Sequence, residues 1–159
     1  MLLNKKNIPK IKMGGRGGGE KAFSRVLVNC ERISESLYDF IDKGTGEKIE
    51  LKKQQAAQWF DGWKYYNLSS SDRKITMLFV MHDGDRVTNI YSVPLGIMID
   101  TLLSDPEYSE AGWNDGVLKT LYSIKKDSPK VQSKLPLNVK KFVNRHPSIF
   151  KIEYCEIVP

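Results

Sequence analysis

The chain has 159 residues, of which 40% are hydrophobic, with a formal net charge of +6 and a pI near 9.2. That length suits one domain with a real core, and the basic balance favours an anionic partner such as nucleic acid. No run approaches the ~18 apolar residues of a membrane span, and the opening MLLNKKNIPKIKMGG lacks the apolar stretch of a secretory signal, so a cytoplasmic location is expected.

Residues 1–19 read as a flexible basic arm, with residues 20–159 as the single folded domain. Lys5, Lys6, Lys10, Lys12 and Arg16 are interspersed with glycines that keep the backbone loose, a composition suited to tracking phosphates. GGRGGGEK is neither a P-loop, since no Gly-Lys-Ser/Thr follows, nor a dinucleotide fingerprint, since no strand precedes it. From Glu20 to about Ser36 the period becomes helical. Phe23, Val26, Leu27, Cys30 and Ile33 make one apolar stripe, and Glu20 complements the helix dipole.

Tyr38 to Gln55 reads as a hairpin around the loop Lys43-Gly44-Thr45-Gly46. Counting back in antiparallel register, Ile41 faces Lys48, Phe40 faces Ile49 and Asp39 faces Glu50. Alternation puts Lys52 on the Glu50 face and leaves Phe40, Ile49 and Leu51 on the reverse, apolar face. Two carboxylates held about 5 Å apart across strands repel. A divalent cation relieves that repulsion, and Mg²⁺ commonly takes one or two carboxylates from protein. A lysine beside them suits a phosphate oxygen or an attacking water. A bulge that slipped the register by one would put Asp42 in the place of Asp39.

Gln54 to about Tyr66 suggests a helix carrying Trp59, Phe60 and Trp63. Gln54, Gln55 and Gln58 follow the hairpin strand closely enough to reach a nucleic-acid groove, and Lys53 is a further candidate DNA contact. Ile75 to Met81 is a nearly continuous apolar run, the mark of a strand covered on both faces. Arg86 to Val93 resumes as an alternating strand after the turn at His82–Asp85. Leu95 to Leu103 reads as an apolar helix or mixed segment, Ser104 to Asp115 as a loop, and Val117 to Ile124 as a short strand or helix. Beyond these lies a basic cluster in which Lys125, Lys126, Lys134, Lys140 and Lys141 are candidate DNA contacts along with Lys12 and Arg16. Leu137 to Val143 reads as a short helix stopped by Pro147, and Phe150 to Val158 as an edge strand. Cys30 and Cys155 are expected as reduced core thiols, and His82 and His146 without a Cys-x-x-Cys offer no structural zinc pattern. The fold class expected is α/β (or α+β), with a central mixed sheet of four to five strands flanked by helices.

Asp39, a hairpin, then Glu50-x-Lys52 resembles the D…(D/E)xK signature of the PD-(D/E)XK nuclease superfamily. The surrounding DFIDKGTGEKIELKK is most similar to its small type II restriction endonucleases, although Tyr38 stands where the motif's name has proline. The resemblance implies a restriction-endonuclease-like fold, Mg²⁺ held by Asp39 and Glu50 with the Leu51 carbonyl as a further ligand, and Lys52 acting on the attacking water. It also implies double-stranded DNA as substrate, a homodimer, and an additional acid near the metals at Glu20. Two other readings compete: a Holliday-junction resolvase or other structure-selective nuclease, and a non-catalytic nucleic-acid-binding module in which the Glu-x-Lys hairpin is incidental.

Overall fold

The structure, a computed structural model, describes residues 1–13, 18–33, 37–54, 57–128 and 134–156. After a 3-10 turn at Lys5–Lys10 come α1 (Gly18–Phe23), β1 (Cys30–Arg32), β2 (Phe40–Asp42), β3 (Lys48–Gln54) and β4 (Gln58–Asp61). A second 3-10 turn, Gly62–Tyr65, and a third, Asp72–Lys74, lead into β5 (Thr76–Asp83) and β6 (Arg86–Pro94). Then follow α2 (Leu95–Ser104), α3 (Pro106–Glu110), α4 (Asp115–Asp127), β7 (Lys134–Leu137), α5 (Val139–Arg145) and β8 (Lys151–Cys155).

Six of the strands form one mixed sheet in the order β1-β2-β3-β5-β6-β8, while β4 and β7 pair separately. Every neighbouring pair in the large sheet is antiparallel except β3 with β5. A parallel pair needs a crossover, and here the crossover carries β4 and the two 3-10 turns that follow it. The expected mixed α/β sheet is therefore present, with one strand more than the four to five anticipated. β5 is covered on both faces, as its apolar run requires: Met77, Phe79 and Met81 enter one core, and Leu78 and Val80 the other. The first core holds β4, β7, α2, α4 and α5 against the sheet, and the second is closed by the N-terminal segment and α1.

Four expectations need correction. Residues 1–13 are a packed element and not a flexible arm: Ile8 and Met13 are fully buried, the Asn4 amide donates to the Val26 carbonyl at 2.7 Å, and Leu3 bridges Leu27. Isoleucines and a methionine between the lysines outweigh the charge pattern, because burying each gains about 1.5–3 kcal/mol. The helix expected over 20–36 stops at Phe23. Phe23, Val26 and Leu27 are buried as a helical stripe would bury them, but Asn29 adopts a positive φ of 57° and the chain turns into β1, which pairs with β2. The helix expected over 54–66 is β4 followed by a 3-10 turn. Pairing with β7 imposes a period of two there, with Phe60 buried and Trp59 58% exposed. Finally, of the two thiols expected in the core, both free, Cys30 is half-buried against the second core and Cys155 is exposed.

The segment 117–124 is the middle of α4, whose start is capped by the Asn114 side chain accepting from the Val117 amide at 2.9 Å. The loop expected at 104–115 contains the short α3. No helix among the described residues is long and apolar enough to cross a membrane.

Candidate active site

The hairpin forms in the anticipated register, with Phe40 opposite Ile49 and Ile41 opposite Lys48. Gly46, at φ +75°, supplies the left-handed residue of its loop. Phe40, Ile49 and Leu51 are buried in the second core, so Glu50 and Lys52 face the other way. Asp39 lies just before β2, its amide donating to the Ile49 carbonyl at 2.8 Å. Its carboxylate takes the next place in the ladder: Oδ2 accepts from the Leu51 amide at 2.8 Å. Since the N–H and C=O of one strand residue point to the same side, the Leu51 carbonyl faces that edge too.

Asp39 stands close enough to Glu50 across the hairpin for its carboxylate to act on that of Glu50 directly. The Glu50 side chain is only 14% exposed, and Lys52 Nζ stands 3.9 Å from its Oε1. Burial first, then the neighbouring Asp39 carboxylate, push the Glu50 carboxyl up to about 9. Glu20 joins them from α1. Its carboxyl is also raised, by burial and then by Asp39, while Arg32 holds its Oε2 at 3.1 Å. Asp42 is differently employed: its Oδ1 accepts from the amides of Gly44 at 2.8 Å and Thr45 at 3.1 Å, bonds that lower its pKa. It closes the hairpin loop, and Asp39 is the acid that meets Glu50.

Among the described residues no three His, Cys, Asp or Glu side chains form a group able to hold a metal ion by themselves. Two adjoining carboxylates are nevertheless what Mg²⁺ commonly takes from protein, the rest of its shell being water and substrate oxygens. One Asp39 oxygen is committed to the Leu51 amide and Glu50 resists ionising alone, so a divalent cation fits this donor set.

The cleft over these groups has a volume of about 220 Å³ and is walled by Glu20, Asp39, Glu50, Lys52, Asp61, Lys64 and Tyr65. Asp61 and Lys64, paired at 3.6 Å, lie at the end of β4 and in the turn after it. Sequence reasoning placed both on a helix and missed them as cleft residues. The strand period of Gln58–Asp61 was too short a signal to outweigh the aromatic spacing that follows. Lys52 Nζ also sits 5.5 Å from the centre of the Phe60 ring, which helps hold it over the cleft. A wider cavity of about 550 Å³, lined by Met81, His82, Asn89, Tyr91, Lys140 and Asn144, lacks any such pair of carboxylates.

The candidate DNA contacts divide. Gln54 is 2% exposed and ties β3 to the start of α5: its Nε2 donates to the Leu137 carbonyl at 3.3 Å and its Oε1 accepts from the Val139 amide at 2.5 Å. It is a structural clamp, and the groove contact expected of it is corrected. Lys53 donates to the Met13 carbonyl at 2.9 Å, pinning the N-terminal segment to β3. Lys141 pairs with Glu107 at 3.0 Å. Lys12, Lys126, Lys134 and Lys140 are exposed, Lys125 is half-buried at the end of α4, and Arg16 and Gln55 lie outside the described residues. His82 turns its Nδ1 to the Gly84 carbonyl, 2.7 Å away, within its own turn.

Comparison with protein-family models and with curated proteins returns no match to this chain.

Proposed function

We propose that the protein is a Mg²⁺-dependent DNA endonuclease of PD-(D/E)XK type, with a restriction-endonuclease-like fold and a homodimeric working form on double-stranded DNA. The observation that carries this reading is the meeting of Asp39 and Glu50 across the β2–β3 hairpin with Lys52 on the same face, all three in one cleft. An incidental Glu-x-Lys hairpin has no need to bury a second acid against the first. The Glu50 side chain, at 14% exposure, gives up solvation that a purely binding surface would keep.

Asp39, Glu50 and the Leu51 carbonyl would hold the ion. When bound, it supplies positive charge for the phosphate and lowers the pKa of water. The chain's own groups do the remaining work. The Leu51 amide orients the Asp39 carboxylate. Lys52, held between Glu50 and the Phe60 ring, places its ammonium group toward a phosphate oxygen and the attacking water. Water adds to phosphorus as the P–O bond to the leaving strand breaks. The proton lost by the water passes to bulk solvent, and the leaving oxygen takes up a proton from solvent. The step thus balances with Lys52 and Lys64 contributing positive charge only. Glu20, pinned by Arg32, adds negative potential beside Asp39.

Purified protein incubated with mixed-sequence plasmid and Mg²⁺ tests the reading directly. Cutting is expected, with discrete fragments for a sequence-specific enzyme, and Asp39→Ala, Glu50→Gln and Lys52→Ala should each lower its rate by roughly 100-fold or more. Asp42→Ala should leave chemistry intact and act only on hairpin stability. Cutting of four-way junctions in preference to plasmid would assign a structure-selective nuclease instead. Metal-dependent cutting that survives unchanged in Glu50→Gln and Lys52→Ala sinks the assignment.

A further inference from the structure

The 3-10 turn Gly62–Tyr65 serves two sites at once. Lys64 looks into the carboxylate cleft, while its neighbour Trp63 lines a separate cleft of about 310 Å³ with Tyr122, Lys125 and Lys126 of α4. α4 and this turn pack closely because residue 62 has no side chain: a Cβ there would stand 2.9 Å from Leu135 and 3.1 Å from Leu121. Tyr122 is 41% exposed, and its ring is held 5.4 Å from Tyr66 at 45°. Trp63 and Tyr122 give this cleft aromatic walls, and the stems of Lys125 and Lys126 complete its mostly apolar lining. This is a surface for a flat, uncharged ring whose attached anion lies within reach of the lysines' charged ends.

We propose that the Trp63–Tyr122–Lys125–Lys126 cleft is a subsite for one unpaired DNA nucleotide. The base stacks against the aromatic side chains, and the adjoining phosphate is held by the lysines. The choice of an unpaired strand follows from shape: bases stacked inside a duplex present only their edges, so an aromatic cleft gains nothing from them. The choice of nucleic acid follows from charge, since no acidic side chain lines the cleft and the chain carries a net +6. The proposal rests on the nuclease reading for its biological setting. It would bring an unpaired end or flap within one residue of a wall of the reaction cleft.

Binding of fluorescent strands measured in EDTA separates the two readings, because no cutting is required. Wild-type protein should bind a short oligothymidylate about tenfold more tightly than an abasic strand of the same length, a comparison that needs no variant. Tyr122→Ala, at an exposed helix position, should weaken oligothymidylate binding about tenfold and leave duplex binding unchanged. Lys126→Ala should weaken both strands. Equal affinity for the abasic strand, or unchanged oligothymidylate binding in a Tyr122→Ala protein of normal melting temperature, overturns the subsite. Tighter binding of oligouridylate overturns its assignment to DNA. If Glu50→Gln cuts like wild type while the abasic difference stands, the active-site reading falls and the subsite remains.

Discussion

Glu50 is where folding and chemistry conflict. An unfolded glutamate ionises near pH 4.3, whereas burial and Asp39 push Glu50 up to about 9. The folded state thus holds a proton that the unfolded chain releases between those values. The resulting stability is complete below the lower pKa and is lost as pH rises through the higher one. Glu50→Gln removes the effect. In EDTA at pH 8 it should melt higher than wild type by roughly 5–10 °C, from a few kcal/mol at ~2–4 °C per kcal/mol. That gain should vanish near pH 4, and Mg²⁺ should raise the melting temperature of wild type alone. A Glu50→Gln protein that melts lower at pH 8 would show that the pair is not under the strain described. Asp105 behaves in the opposite sense. Arg145 first, then His146 at 2.6 Å and the Glu107 amide at 3.0 Å, hold its carboxyl well below the usual range. Its contribution is present above the unfolded value near 3.9 and is lost as pH falls through the lower folded pKa. Asp105→Asn should lower the melting temperature at pH 7 and flatten its fall in acid; an unaltered acid profile would exclude Asp105 as the group responsible.

At the level of elements, the β2–β3 hairpin was legible because two independent periods agree in it. The loop glycines set the register, and alternation sorts Phe40, Ile49 and Leu51 from Glu50 and Lys52. β1 and β4 were not legible, because each is a strand only through its partner: the next strand, β2, for the three residues Cys30–Arg32, and the remote β7 for Gln58–Asp61. Pairing satisfies their backbone groups and overrides the helical spacing of nearby apolar residues. Gln54 shows the same dependence at an element's end. Its amide bonds both the last carbonyl of β7 and the first amide of α5, so Gln54→Ala leaves a buried N–H unsatisfied. The loss should be about 1–3 kcal/mol, or several degrees of melting temperature, with DNA affinity unchanged. Weaker DNA binding at an unaltered melting temperature would restore the groove contact.

For the molecule as a whole, the N-terminal segment closes one of its two cores. Ile8, Ile11 and Met13 cover the face of the sheet opposite the cleft, packed with Phe23, Val26 and Leu27. Lys53 reaches back to the Met13 carbonyl from the strand that carries Glu50. Removal of residues 1–13 should therefore lower the melting temperature by more than about 10 °C or prevent folding, since the buried side chains of Ile8, Ile11 and Met13 are lost at about 1.5–3 kcal/mol each. A truncated protein of normal stability with weaker DNA binding would be the behaviour of an arm.

From sequence alone came what local pattern dictates: the hairpin and its two faces, the doubly covered β5, the mixed sheet, and the pairing of Asp39 with Glu50 beside Lys52. The tertiary structure alone decided which distant segments complete the site. It brought Asp61 and Lys64 to the cleft, turned Gln54 inward, and folded the lysine-rich start onto the sheet. The division has a physical cause. Side-chain alternation is a property of neighbours along the chain, whereas burial and charge proximity depend on contacts that form only when remote segments pack.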